Sequence, residues 1–310
     1  MSRTKMTLGV VVAALALAVT ACGGSGDPTT ASTPSGGSKT TAAADTIVVG
    51  SANFQENVIL ANIYAEALKA KGVKVTTKLN IGSREAYLPG LQDGSIDLIP
   101  DYTGNLLLFL DKTATAVSSD DIYAALPAAL PSGLSVLDKS PAEDKDAIVV
   151  SKETAAKYKL TSIADLAPVA GKLTFGGPPE MKTRSYGVPG FKKNYGVVFG
   201  TYKTLDAGGP LSENALKNGQ VDAADIFTTD PLIKKNEWIA LEDPKNNFIA
   251  QNVVPLINTA KATDTVKTAL NAVSAQITTQ DLIDLLTKVV QEKQDPNAAA
   301  KEWLTSKGLI

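Results

Sequence analysis

The chain has 310 residues, with 30 basic and 32 acidic side chains, a net charge of −2 and a hydrophobic fraction of 44%. These values are typical of a soluble globular protein and exclude a strongly basic nucleic-acid-binding chain. The sequence contains no His and one Cys, which excludes His-dependent nucleophilic catalysis, His-containing zinc sites and an internal disulfide. No metal-binding or phosphate-binding loop motif is present, so no cofactor or metal is predicted.

The first 21 residues have the features of an export signal. Arg3 and Lys5 precede an apolar run from Leu8 to Val19, which is too short to span a bilayer. The sequence VTAC (19–22) resembles a bacterial lipobox, in which cleavage before the cysteine leaves it to carry lipid. We therefore predict a signal peptide over 1–21 and a lipidated Cys22 that anchors the mature chain to the cell membrane. An ordinary signal peptide with a chance cysteine is the alternative.

Residues 22–45 have the composition of a flexible linker. The segment is rich in Gly, Ser, Thr, Pro and Ala, and no large apolar residue occurs before Ile47. Such a segment cannot form a packed core. We expect the folded part, residues 46–310, to work just outside the membrane.

From Thr46 onward, short apolar runs alternate with helical patterns, which indicates βαβ units and a mostly parallel sheet. The strand TIVVGS (46–51) precedes a helix whose apolar residues recur every three or four positions. The strand VKVTTKL and a second helix follow, then the strand IDLIP and a helix that begins in YTGNLLLFL. After VVPLIN (253–258) the pattern is helical to the end of the chain.

Two stretches align without gaps at a spacing of 125 residues, LQDGSIDLIPDYT (91–103) and LKNGQVDAADIFT (216–228). The alignment predicts two similar lobes, although any helix, turn and strand unit would share part of this pattern. Both stretches place an aromatic residue, Tyr102 or Phe227, after the carboxyl end of a predicted parallel strand. Ligands of open α/β sheets bind at such ends.

A second pair of similar stretches consists of VVGSANFQENV near residue 50 and FGGPPEMKTRS near residue 177. In each, a strand ends in Gly and runs into a polar loop that could meet an anionic or polar group at a helix start. Asn53 and Arg184 are candidate binding residues in these loops. We predict lobe 1 over 46–148 and 254–310 and lobe 2 over 149–253, with a cleft between them and a two-strand hinge. The helical tail is expected to pack on lobe 1.

Acidic residues in or beside the predicted strand ends are the remaining option for acid–base catalysis. Asp97 and Asp222 occupy matching places, as structural partners would, and this interpretation is favoured for the group, which also includes Asp101, Asp225 and Asp230. We therefore predict a binding protein and no enzyme. A surface hydrolase with a carboxylate pair stays an alternative, as does a lipoprotein sensor without transport.

Several motifs in a fixed order resemble those of a known family: IVVGSANFQENVILANIYAEALKAKG, GSRE, DYTG, VDAADIFTTDP and EDPKNNFIAQNVVPLI. Over nearly all of 46–310 the chain resembles the substrate-binding lipoproteins of osmoprotectant ABC importers, the glycine betaine/choline/carnitine family. The resemblance implies an α/β, two-lobed type II periplasmic-binding-protein fold with two interlobe crossovers. It also implies closure on a small solute and delivery to an ABC permease with its ATPase, and no nucleic-acid partner.

In this family a cage of four tyrosines holds a quaternary ammonium group, and polar or basic groups hold the ligand's carboxylate. The resemblance implies that Tyr102 retains one ring and that Phe227 replaces a second. The tyrosine expected near 144–147 is absent, and Gln251 stands in place of the fourth. Arg184 is the implied carboxylate-binding arginine.

The altered cage changes the expected solute. Asn105 stands where a threonine often follows YTG, and the loss of two rings is expected to weaken the binding of a betaine. Asn105 and Gln251 instead offer amide groups that suit a polar or hydroxylated solute. We expect ligand contacts from both lobes to drive closure. The predicted contacts are Asn53, Tyr102 and Asn105 on one side and Arg184, Phe227 and Thr228 on the other, and Gln251 is a further predicted binding residue.

Overall fold

The computed structural model describes residues 46–310. The predicted signal peptide (1–21), the predicted lipidation site Cys22 and the predicted linker (22–45) lie outside this range. Among the helices of residues 46–310, none combines the length and the apolar character needed to cross a membrane.

The described chain contains ten strands and eleven α-helices, together with short 3₁₀ and π turns. In chain order the strands are β1 (Thr46–Gly50), β2 (Lys74–Lys78), β3 (Leu98–Tyr102), β4 (Leu134–Val136), β5 (Asp146–Val150), β6 (Thr174–Gly177), β7 (Thr201–Thr204), β8 (Ala223–Phe227), β9 (Ile239–Ala240) and β10 (Val253–Asn258). The helices are α1 (Gln55–Ala70), α2 (Arg84–Gln92), α3 (Thr103–Leu110), α4 (Ser119–Ala129), α5 (Lys152–Tyr158), α6 (Val188–Gly190), α7 (Pro210–Lys217), α8 (Pro231–Lys235), α9 (Asp264–Ser274), α10 (Thr279–Leu286) and α11 (Pro296–Ser306).

The strands form two five-stranded sheets with the same internal arrangement. The first sheet has the order β2-β1-β3-β10-β4 and the second the order β7-β6-β8-β5-β9. In each sheet three strands are parallel, and the next strand, β10 or β5, runs antiparallel to the third. The bounds of β3 and β8 differ by 125 positions at both ends, as the aligned sequences predicted.

The chain passes between the sheets twice. It leaves the first sheet after β4, enters the second at β5, and returns between β9 and β10. The two passing segments pair with each other, because Glu143 and Asn252 form an antiparallel bridge. The backbone N–H of Val253 also donates to the carbonyl of Ala142 at 3.1 Å.

Helix α1 lies at the centre of the largest apolar core. Its apolar side chains pack together with Val49 and Leu98 of the first sheet on one side and with α9, α10 and α11 on the other. Even the large Tyr64 ring is only 1% exposed. The C-terminal helices therefore pack on the helix that covers the first sheet, which is where the helical tail was expected.

Matching aspartates connect neighbouring strands in the two sheets. The Asp97 carboxylate accepts a hydrogen bond from the Val48 N–H at 2.8 Å, and the Asp222 carboxylate accepts one from the Thr174 N–H at 2.8 Å. Each aspartate N–H donates in return to the carbonyl of the same residue. Asp97 and Asp222 thus have the structural role that the sequence interpretation favoured.

Candidate functional site

A cavity lies where the ends of β3 and β8 approach each other. It contains about 650 Å³ of empty space, part of it open to solvent, which is within the usual size range of small-molecule sites. Residues from both sheets and from the first passing segment line it: Ala52, Asn53, Phe54, Asn57, Ser83, Arg84, Tyr87, Tyr102, Asn105, Asp144, Asp146, Pro178, Glu180, Met181, Arg184, Ala207, Asp225 and Phe227.

Three rings meet in this cavity, and we call Phe54, Tyr102 and Phe227 the aromatic cluster. The Phe54 ring centroid lies 5.9 Å from that of Tyr102 and 5.0 Å from that of Phe227. Phe54 precedes α1, whereas the other two rings end β3 and β8, so the cluster joins the two sheets. Sequence reasoning missed Phe54, although it directly follows Asn53 and aromatic residues are only 5% of the chain.

Glu56 connects the aromatic cluster to the second sheet. The Tyr102 hydroxyl donates to one carboxylate oxygen of Glu56 at 2.7 Å, and the Thr229 hydroxyl donates to the other at 2.6 Å. Burial raises the pKa of Glu56, while these two hydrogen bonds act in the opposite direction. Glu56 lies in the first turn of α1, where the helix dipole also favours a carboxylate.

Arg84, from the GSRE motif, forms a buried ion pair beside the cavity. Its guanidinium donates to Asp101 at 2.5 Å, and the Tyr87 hydroxyl donates to the second oxygen of the same carboxylate at 2.7 Å. Burial alone would lower the pKa of Arg84, but the adjacent Asp101 outweighs it and raises that pKa. Both oxygens of Asp101 are therefore satisfied, and the Arg84 cation is held in a fixed place.

The glycine of the YTG motif permits a close approach between α3 and the returning segment. A Cβ atom on Gly104 would lie 2.3 Å from the carbonyl oxygen of Ala250. This approach lets the Asn105 N–H donate to the Gln251 side-chain oxygen at 2.9 Å. The Asn105 side chain in turn donates to Asp146 at 2.8 Å, so Asn105 connects α3 to β5.

Arg184 spans the two sides of the cavity rim. Its guanidinium donates to Glu85 at 3.0 Å and to the Tyr186 hydroxyl at 2.8 Å. The Nε atom is buried and has no hydrogen-bond partner. The buried Nε–H donor of Arg184 is therefore unused by the protein.

The cavity contains three buried aspartates, Asp144, Asp146 and Asp225, of which the sequence reasoning had assigned none to binding. Burial raises the pKa of all three, and repulsion by Glu56 raises that of Asp144 further. With Glu180 the lining holds four acidic side chains and two guanidinium groups, and a bound cationic group would favour the ionised form of these acids. Within residues 46–310, no group of three or more His, Cys, Asp or Glu could hold a metal ion.

The predicted binding residues are distributed unevenly around the cavity. Asn53, Tyr102, Asn105, Arg184 and Phe227 line it. Thr228 does not, because it is exposed and its hydroxyl donates to Asp144 at 3.1 Å. Gln251 does not line it either, because it is fully buried and its oxygen accepts the Asn105 N–H.

Comparison with known proteins identifies the family of the chain. Residues 45–306 match the family profile described as the substrate-binding domain of the ABC-type glycine betaine transport system. The chain belongs to this family. It is 27% identical over 280 residues to the glycine betaine-binding protein YehZ of Escherichia coli, across 86% of this chain and 92% of that protein. It is also 27% identical over 272 residues to the carnitine transport binding protein OpuCC of Listeria monocytogenes, across 84% of this chain and 86% of that protein.

Among solved structures, the chain is similar to a crystal structure titled glycine betaine/carnitine/choline ABC transporter. The TM-score is 0.67 at 24% identity, and the match covers 85% of this chain and 99% of the other. This likeness confirms the predicted two-lobed periplasmic-binding-protein fold. As a member of the glycine betaine family, the chain is the substrate-binding component of an osmoprotectant ABC transporter.

Proposed function

We propose that the cavity binds a small solute with a quaternary ammonium group, and that this cationic group lies against the aromatic cluster. The single observation that carries this proposal is the meeting of Phe54, Tyr102 and Phe227 in a cavity whose acidic side chains outnumber its guanidinium groups. Each favourable cation–π contact contributes about 0.5–2 kcal/mol. Relatives named for glycine betaine and carnitine binding support the same ligand class.

The proposed contacts divide into direct and supporting groups. The proposed direct contacts are the predicted residues that line the cavity, together with Phe54: Asn53, Phe54, Tyr102, Asn105, Arg184 and Phe227. The hydrogen bond from Asn105 to Gln251 supports a positioning role for Gln251, and the bond from Thr228 to Asp144 supports a similar role for Thr228.

We further propose that the protein acts by closure of two lobes and delivers the solute to an ABC permease driven by its ATPase. The proposed lobes are 46–148 with 254–310, and 149–253. The distribution of the strands supports this division, although β5 begins three residues before the first boundary and β10 one residue before the second. Relatives named as binding proteins support a role without catalysis.

Calorimetric titration of the detergent-solubilised full-length chain tests the solute proposal. We expect saturable binding of glycine betaine, choline or carnitine, and loss of that binding in the double variant Tyr102→Ala with Phe227→Ala. The control Tyr158→Ala removes a ring on α5 that does not line the cavity, and it should keep the affinity. Binding of none of the three compounds contradicts the ligand class, whereas unchanged affinity in the double variant contradicts the site.

The signal sequence and the VTAC box support the proposal that the protein is extracytoplasmic and anchored by lipid at Cys22. Metabolic labelling with an alkyne fatty acid in a bacterial host tests this anchor. The wild-type chain should carry the label and stay with the membrane fraction, and Cys22→Ser should lose both properties. A labelled Cys22→Ser chain would contradict the assignment.

A further inference from the structure

Asp225 is a buried acid that the fold leaves without a partner. The residue is only 1% exposed, and neither of its carboxylate oxygens has a hydrogen-bond partner. Side chains alternate along a strand, so Asp225 lies on the same face of β8 as Phe227, and both residues line the cavity. The acid therefore lies against the space that a solute would occupy.

The groups around Asp225 do not supply a donor. The Tyr202 hydroxyl lies close to Gly177, which is next to Asp225, but it donates to the Pro178 carbonyl at 2.6 Å. Arg184 attracts the acid electrostatically, yet its guanidinium donates its hydrogen bonds to Tyr186 and Glu85. Asp146 and Glu180 are carboxylates and repel it. A buried carboxylate without donors is unfavourable, which raises the pKa of Asp225, so its ionised form needs a donor or a cation from outside the protein.

We propose that Asp225 accepts a hydrogen bond from an O–H or N–H group of the bound solute and thereby selects solutes that carry such a donor. The inference rests on the proposed function, in which the aromatic cluster contacts the alkylated part of the same solute. Glycine betaine has no O–H or N–H donor, so it would leave Asp225 unpaired, whereas the hydroxyl of choline would not. Sites with buried polar groups discriminate strongly against ligands that leave those groups unpaired.

Two pairs of probe compounds isolate the donor. Choline and its O-methyl ether differ in one O–H, and N,N-dimethylglycine and glycine betaine differ in one N–H. The full-length wild-type chain is titrated with all four compounds, beside Asp225→Ala, which removes every acceptor, and Asp225→Asn, which keeps the size of the side chain. The control Asp222→Asn alters an acid just before β8 that bonds Thr174 and does not line the cavity.

The expected result is a donor preference that depends on Asp225. In at least one pair, the donor-bearing compound should bind the wild-type chain about tenfold or more tightly than its methylated counterpart, as a hydrogen bond to a charged group predicts. The ratio should fall to near one in Asp225→Ala, decrease in Asp225→Asn and persist in Asp222→Asn. The responding pair tells whether the donor is a hydroxyl or an ammonium N–H.

Two results would overturn the proposal: equal affinities within both pairs for the wild-type chain, or a donor preference that survives in Asp225→Ala. If none of the four compounds binds, the proposed function fails, and the melting temperatures of the unliganded variants then test the inference about Asp225. A melting temperature of Asp225→Asn at or above that of the wild type would support the inference that Asp225 takes its donor from outside the protein. A decrease larger than that of Asp222→Asn reveals a structural role and overturns the proposal.

Discussion

The two sheets share strand order and register, yet each has a different kind of buried acid in its central strand. Asp101 in β3 receives hydrogen bonds from Arg84 and Tyr87, whereas Asp225 in β8 receives none. The two acids are one position apart in the aligned strands, so Asp225 shares a face with Phe227 while Asp101 points away from the face of Tyr102. In two similar sheets, Asp101 thus stabilises the fold, whereas Asp225 is available to bind a solute.

The rings at the ends of the same two strands also differ. Tyr102 has a hydroxyl that donates to Glu56, but Phe227 has none. The second sheet's side supplies a hydroxyl from Thr229 instead, two residues after Phe227. Glu56 therefore receives one donor from each side of the cavity. On the side of β8 the donor is the Thr229 hydroxyl, because the Phe227 ring has no hydroxyl.

The largest expected effect on the free energy of unfolding comes from Asp101, the acid that is paired with Arg84. Asp101→Asn should lower the free energy of unfolding by about 3–5 kcal/mol, because it leaves the buried Arg84 cation without its counter-charge. Asp225→Asn should change it little or raise it. Urea unfolding at neutral pH measures both, and equal losses would remove the distinction between the two acids.

A smaller effect on the free energy of unfolding is expected from Tyr102, the aromatic residue that ends β3. Tyr102→Phe should lower the free energy of unfolding by about 1–3 kcal/mol, because the buried Glu56 carboxylate loses one of its two donors. Tyr123→Phe is a matched control, since its hydroxyl bonds the uncharged Leu137 carbonyl and its loss should cost less. Equal costs for the two variants in urea unfolding would contradict a special role for Glu56.

The matching aspartates test whether the two sheets are equivalent in energy as well as in order. Asp97→Asn and Asp222→Asn should each cost about 1 kcal/mol, because each carboxylate accepts one backbone N–H at the same distance. The Lys261 ammonium lies 3.8 Å from Asp97 and should add little. Costs that differ by several kcal/mol would show that the likeness of the sheets is only geometric.

The smallest expected effect is the part of the pH dependence of stability that Glu213 of α7 contributes. Burial and repulsion by Asp230 raise the pKa of Glu213 to about 8, compared with about 4.3 in an unfolded chain. The folded state therefore binds a proton that the unfolded state has lost, and this contribution to stability disappears as the pH rises from about 4.3 to 8. Glu213 is only partly buried, so solvent screening leaves a small part of this contribution, and Glu213→Gln should reduce the fall in melting temperature between pH 5 and pH 9 by about 1–3 °C. An identical slope in differential scanning fluorimetry would contradict the shift.

The sequence predicted those parts of the fold that depend on local pattern. VVPLIN coincides with β10, and the apolar spacing of Ile59 to Leu68 falls within α1. It could not predict which groups meet. Phe54 joins the aromatic cluster only because β8 approaches the start of α1, and the amide of Gln251 serves Asn105 only because Gly104 lets two distant segments touch. Periodicity reports which face is buried, whereas hydrogen-bond partners depend on tertiary approach.

The second sheet lies in sequence between β4 and β10 of the first sheet, and this arrangement constrains the order in which the chain can fold. Every strand of the second sheet lies between residues 146 and 240, but β3 needs β10, which pairs Tyr102 with Val253. Closing so long a loop slows the formation of that pairing, and synthesis delivers β10 only after the whole second sheet has emerged. The nascent chain can therefore complete the second sheet while the central strand of the first still has an open edge.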